Sequence, residues 1–129
     1  MLNQYPIVGF VLTKDAVRAR AFYEGSLGLE FVTEDPYGVS FRAQDNLIRV
    51  AKVPHFTPVA YTVLGWAVTG IEAVVDEMAA KGVVFERYPG MSLDKRGIWN
   101  TPDGSRVAWF KDPDGNVLSV SEHPEPARA

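Results

Sequence analysis

The sequence predicts an α+β fold of two βαβββ repeats whose sheets curl around a central cleft. Three observations predict it. A strand-like run followed by a helical run occurs twice, three β-rich runs follow each such pair, and the two halves overlay. The 129 residues, 47% apolar and 12% aromatic, suffice for one buried core and are too few for two ordinary domains. We therefore expect one domain over residues 1–122, with halves at 5–53 and 60–122 and a fraying polar tail at 123–129.

The first half opens on Pro6 to Thr13, a buried strand, and Asp15 then begins a segment whose apolar Val17, Ala21, Phe22 and Leu27 keep helical spacing up to Gly28. Strands follow at Leu29 to Thr33, Val39 to Arg42 and Leu47 to Val53. The intervening Asp35-Pro36-Tyr37-Gly38 and Ala43-Gln44-Asp45-Asn46 have the chemistry of hairpin turns.

In the second half a strand from Tyr61 to Val68 precedes a helix with Ile71, Val74, Val75, Met78 and Ala79 on one face. Thr69 and Glu72 have the spacing of a capping box, and Gly82 suits a left-handed helix end. Strands are expected at Val83 to Arg87, Arg106 to Lys111 and Asn116 to Ser121, with Asp112-Pro113-Asp114-Gly115 turning between the last two. Asp45 to Val50 lies against Gly115 to Val120 in the overlay, and Gly28 against Gly82. An insertion from Tyr88 to Ser105 should form a flap or an extra hairpin.

Composition excludes several functions. Thirteen basic against sixteen acidic residues, scattered along the chain for a net charge of -3, give no reason to gather phosphates, so no nucleic acid partner is expected. Without Cys there are no disulfides, thiolate metal sites or cysteine nucleophiles. The start, MLNQYPIVGF, lacks the features of a signal peptide and no apolar run reaches membrane-spanning length, so we expect a cytoplasmic protein without a membrane partner.

Ala21-Phe22-Tyr23 followed by Leu27-Gly28-Leu29, with Asp15 upstream, resembles the first-helix signature of the vicinal oxygen chelate superfamily, the glyoxalase, bleomycin-resistance and extradiol dioxygenase group. Val107 to Asn116 resembles its last hairpin. The resemblance covers the chain to about Glu122 and implies a divalent metal held in the cleft by His, Glu or Gln, with open positions that chelate two substrate oxygens. Carried over residue by residue, the ligand positions fall at Val8, near Thr62 to Leu64, at Arg49 and at Ser119. Val has no donor, Arg is a fixed cation and a lone Ser hydroxyl is a weak ligand, so no metal or other cofactor is expected there.

The remaining candidates divide into chemical and bland readings. His55, His123 and Glu122 or Glu86 are types that ligate metals, yet loop-packing or solvated histidines are the commoner case. No G-x-S-x-G elbow supports a serine hydrolase. Asp112 and Asp114 fit a structural turn better than a cation loop, and Asp94-Lys95-Arg96 fits a solvated loop better than an anion clamp. Alternation leaves part of the set Phe10, Phe41, Tyr61, Trp66, Trp99 and Trp109 facing the cleft. Arg49, which the resemblance turns into the cleft, either anchors a carboxylate, phosphate or planar ring or is held in a salt bridge by a neighbouring strand.

The expected function is a metal-independent small-molecule binding protein whose cleft, with Arg49, Ser119, Phe10, Tyr61, Trp66, Trp99 and Trp109, takes an aromatic or anionic organic ligand. The alternatives are a glyoxalase-type lyase, isomerase or dioxygenase, with a noncognate metal or an acid-base pair such as Glu86 and Tyr61, and a dimeric interaction module with a vestigial cleft. The superfamily resemblance implies a homodimer.

Overall fold

A computed structural model describes residues 1–124. After a single 3-10 turn at Leu2–Gln4, the first half runs β1 (Val8–Thr13), α1 (Ala16–Arg20), β2 (Glu30–Asp35), β3 (Gly38–Ala43) and β4 (Asn46–Lys52). The second runs β5 (Thr62–Ala67), α2 (Ile71–Ala80), β6 (Trp99–Asn100), β7 (Arg106–Lys111) and β8 (Val117–Glu122). Each half makes a four-stranded sheet, ordered β1-β4-β3-β2 and β5-β8-β7-β6, in which the strand before the helix lies parallel to the last strand and the other pairs are antiparallel. The duplicated pattern of the sequence is thus a duplicated topology. The expected tail lies outside the described residues from 125 onward.

The chain divides into two compact units, and the division is not a simple cut: Met1–Pro58 take Asp112–Asn116 as part of the first unit, while Val59–Lys111 and Val117 onward form the second. The five exchanged residues are the β7–β8 turn.

In the first unit, alternation along β1 sends Val11 and Thr13 inward and leaves Val8, Phe10 and Leu12 exposed. Tyr23, Phe41, Val39 and Val50 are fully buried, each apolar side chain contributing about 1.5–3 kcal/mol. Asp15 caps α1 by accepting from the Arg18 amide at 3.2 Å. The helix then widens into a π-helical stretch, Ala21–Ser26, that carries Tyr23.

The exchanged turn closes against this helix. Asp112, 5% exposed, accepts from the Tyr23 hydroxyl at 2.6 Å, the Asn116 amide at 2.9 Å, the Asn116 side chain at 2.8 Å and the Asp114 amide at 3.0 Å. Asn116 also donates to the Leu12 carbonyl at 2.8 Å, and Asp114 accepts from the Thr13 hydroxyl and the Lys14 amide. The turn reading of Asp112 and Asp114 holds, and the turn is also a clasp. Burial, reinforced by the Asp112 carboxylate, drives the Tyr23 phenol far above its ordinary value.

In the second unit, Ile71, Val75 and Met78 of α2 are buried, as their spacing requires. The helix starts differently from expectation. Gly70 is the N-terminal cap, without a side-chain hydrogen bond of its own, and the Glu122 carboxylate at the end of β8 accepts from the Gly70 and Ile71 amides at 2.9 and 3.0 Å. A side chain some fifty positions away does what the capping box was expected to do. Glu72, freed from that task, pairs with Arg106 at 2.9 Å. At the other end Gly82 takes φ +92° and the Val83 amide reaches back to Met78, the expected left-handed ending.

The expected strand at Val83 to Arg87 does not form. Only Phe85 bridges to Phe110 of β7, and the Glu86 amide donates to the Trp109 carbonyl. The inserted hairpin takes the adjoining part of the same edge, where its β6 pairs with Arg106 and Val107. This hairpin is fastened by buried Ile98, by Asp94 accepting from the Arg96 and Ile98 amides, and by the bidentate Arg96 to Asp76 contact at 2.9 and 3.0 Å. Among the described residues, no helix is long and apolar enough to cross a membrane.

Candidate functional site: the open sheet faces

One face of each sheet packs under its helix and the other is open. On the second sheet, pairing register defines the open face row by row: Trp99, Val107, Ser121 and Ala67 form one row, Trp109, Ser119 and Gly65 the next, and Lys111, Val117 and Thr62 a third. Trp99 and Trp109 stack with centroids 6.1 Å apart at 29°, and Tyr88 from the insertion meets Trp109 edge-on at 5.8 Å and 78°. The Trp109 indole donates through Nε1 to the Thr62 hydroxyl at 3.1 Å. Because β8 lies between β7 and β5, this bond stretches the indole across the sheet. A bulge between Thr62 and Leu64 sets the register that brings Thr62 to it.

Beside the aromatics the sheet is low. At Gly65 a Cβ would stand 2.6 Å from the Ser119 hydroxyl oxygen and 3.3 Å from the Ser119 carbonyl, so even a methyl there would have to displace that hydroxyl. Ser119, Ser121 and Ala67 complete a floor of small residues. At its end His123 has Nδ1 3.1 Å from the Ser105 hydroxyl and Nε2 3.2 Å from that of Ser121. Desolvation, and then the charge of Glu86, raise the Tyr88 phenol above its ordinary value, so it is a hydrogen-bond donor at neutral pH.

On the first sheet the open face carries Phe10, 64% exposed, beside Arg49 in register. The Arg49 guanidinium donates twice to Asp35, at 2.8 and 2.9 Å, and once to the Ser40 hydroxyl at 3.0 Å. It passes over Gly38, where a Cβ would sit 3.0 Å from the guanidinium carbon and 2.8 Å from the Val50 carbonyl. Those Arg49 hydrogen bonds, with the Tyr37 amide, hold the Asp35 carboxyl below its ordinary range. The salt-bridge alternative for Arg49 is therefore the arrangement present.

The structure separates the expected site residues. Ser119, Trp99 and Trp109 come together on the second sheet. Trp66 does not join them: it stacks on buried Phe110 at 6.4 Å and 23°, on the helix-covered face, because it pairs with Val120 and so alternates away from Ser119. Phe41 is likewise core. Tyr61 precedes β5 and is 68% exposed, while the Glu86 carboxylate faces Lys111 at 3.8 Å. Arg49 and Phe10 belong to the first sheet.

The metal-ligand positions keep the unsuitable types read from the sequence. Val8 and Arg49 supply no donor, and the Ser119 hydroxyl sits on Gly65. Both His123 nitrogens meet hydroxyls and Glu122 caps α2, and among the described residues no three His, Asp or Glu side chains gather as a metal-binding group. The residues present do not fit the superfamily's metal. Sequence reasoning missed Tyr88 and Ser121, and reached Thr62 only within the carried-over position near Thr62 to Leu64. Tyr88 lay in the insertion, and Thr62 depends on a bulge that no period reveals.

Known structures with this topology give the comparison. A member of the Glyoxalase/bleomycin resistance protein/dioxygenase superfamily from Sphaerobacter thermophilus DSM 20745 is 25% identical, with a TM-score of 0.70 over 92% of this chain and 97% of that one. A protein described as of the glyoxalase family from Bacillus anthracis is 20% identical, TM-score 0.72, over 92% and 93%. Lactoylglutathione lyase from Agrobacterium tumefaciens is 21% identical, TM-score 0.67, over 90% and 91%. At these identities the last two show a shared βαβββ fold and nothing about chemistry. Residues 6–120 match the sequence pattern of that same superfamily, and with the duplicated topology this settles the relationship: the chain belongs to the Glyoxalase/Bleomycin resistance protein/Dioxygenase superfamily.

Proposed function

We propose that this superfamily member is a small-molecule binding protein that works without the usual divalent metal. One observation carries the reading: on the open face of the second sheet, Trp99, Trp109 and Tyr88 stand as an aromatic wall beside the low floor of Gly65 and Ser119. A wall of rings beside a floor with hydroxyls offers an organic ligand contact area and a few fixed polar groups, the usual composition of such sites. The donor chemistry of Val8, Arg49 and Ser119 supports a metal-independent mode, since none can serve as an ordinary ligand of a divalent ion. A homodimer in solution is part of the reading, favoured by the exposed Val8, Phe10 and Leu12 of β1.

The test is a broad ligand screen read by melting temperature and tryptophan fluorescence, with elemental metal content measured on the same protein after exposure to zinc, nickel, manganese and iron(II). Saturable ligands that raise the melting temperature, with metal far below one equivalent, are expected. Near-stoichiometric retained metal refutes the metal-independent mode, and a screen without any binder refutes the binding function. Light scattering of the purified protein gives the oligomeric state.

A further inference from the structure

We propose that the indole of Trp109, held by its hydrogen bond to Thr62, is a stacking platform for a planar, uncharged ring compound, with Thr62 as its positioning residue. This rests on the binding function proposed above and specifies its ligand class.

A tryptophan on a sheet normally has rotamer freedom that a stacking ligand must suppress at a cost in affinity. Trp109 is fixed at three places: its Nε1 bonds Thr62 on the far side of β8, Trp99 stacks on it, and Tyr88 meets it edge-on. It is ordered before any ligand arrives. The absence of a side chain at Gly65 and the short one at Ser119 leave the rest of Trp109's own row low, so a flat molecule can reach the rings without meeting a bulky residue.

Charge selects among flat molecules. Of the two cations on β7, Arg106 is paired with Glu72 of α2 at 2.9 Å, and Lys111 faces Glu86 at 3.8 Å. Glu86 also lies close enough to Tyr88 to shift its phenol upward. On the first sheet the guanidinium that could hold an anion, that of Arg49, is spanned by both oxygens of Asp35. Arg87, next to Tyr88, has its guanidinium beside Gly97 of the insertion, so a carboxylate or phosphate brought to the aromatic wall would lose hydration and have to draw Lys111 away from Glu86, whereas a neutral ring with hydroxyl or carbonyl groups can use Ser119, Ser121 and the Tyr88 phenol.

The experiment uses two probes built on the same naphthalene ring, 2-naphthol, neutral at pH 7, and 2-naphthoate, an anion, titrated into the full chain by isothermal calorimetry. The expected result is a Kd for 2-naphthol at least about tenfold below that for 2-naphthoate, loss of about tenfold in Trp109→Ala, and an intermediate loss of about three- to tenfold both in Trp109→Phe, whose ring cannot donate to Thr62, and in Thr62→Val, the latter restored by Thr62→Ser. The near-ultraviolet circular dichroism of the Trp99 and Trp109 pair should weaken in unliganded Thr62→Val and recover in Thr62→Ser, with melting curves confirming that each variant is folded. Equal or tighter 2-naphthoate binding overturns the uncharged class while leaving small-molecule binding intact. Binding that Trp109→Ala leaves unchanged overturns the platform. Failure of both probes overturns this inference too, and the broad screen then decides separately whether the protein binds any ligand.

Discussion

Replacing Tyr23 by Phe should cost stability at neutral pH and give most of it back in alkali. The Tyr23 hydroxyl is fully buried and donates to Asp112 at 2.6 Å. Removing a buried hydrogen bond to a charged acceptor costs about 1.5–3 kcal/mol, while the ring and its packing against Phe41, 5.8 Å away, are kept. For a chain of this length that lowers the melting temperature by about 5–10 °C. The pH dependence follows from the raised phenol. The unfolded chain releases the Tyr23 proton above its ordinary value of 10.0 and the folded one holds it, so this contribution is intact below pH 10 and is lost as pH rises further, by about 1.4 kcal/mol per unit. Tyr23→Phe lacks that loss. The gap between the proteins, read from urea unfolding at intervals from pH 7 to 11.5, should therefore close by about pH 11.5, since the other tyrosines titrate alike in both. A gap that stays constant across the range, or no gap at pH 7, refutes the assignment of Tyr23 as the buried donor of the clasp.

Glu122→Gln should lower the melting temperature at pH 7, because the carboxylate caps α2 through the Gly70 and Ile71 amides. Those hydrogen bonds depress its titration below 4.5, so the stabilisation is present above 4.5 and disappears as pH falls through the lowered value; the two melting curves should converge in acid, as calorimetry will show. Gly65→Ala should destabilise by about 1–3 kcal/mol by overpacking against Ser119, and Ser119→Ala added to it should recover much of the loss in chemical denaturation, because the nearest clash is with the Ser119 hydroxyl.

Elements whose identity is local were legible in the sequence. Asp15 and Gly82 mark their helix ends by side-chain and backbone chemistry alone, and both hairpin turns of the first half fell where their turn residues lie. Elements decided by distant partners were not. Thr69 and Glu72 have the right spacing for a cap, but Glu122 from another strand reaches the same amides. Val83 to Arg87 has strand composition, yet it meets β7 only in the single bridge of Phe85 to Phe110. The site was legible in the same uneven way. Trp99, Trp109 and Ser119 were found, while the facing of Trp66 depended on register and the competitor for Arg49, Asp35, sat in a turn read only for its shape.

The exchanged turn has a consequence for synthesis. The first unit owns Asp112–Asn116, so on the ribosome its strands emerge early but Tyr23 and the Leu12 carbonyl stay without their partners until Val59–Lys111 has been made, about 3 to 10 s later at about 5–20 residues per second. A premature stop anywhere in that interval spares every strand of the first sheet and still leaves its helix unlatched.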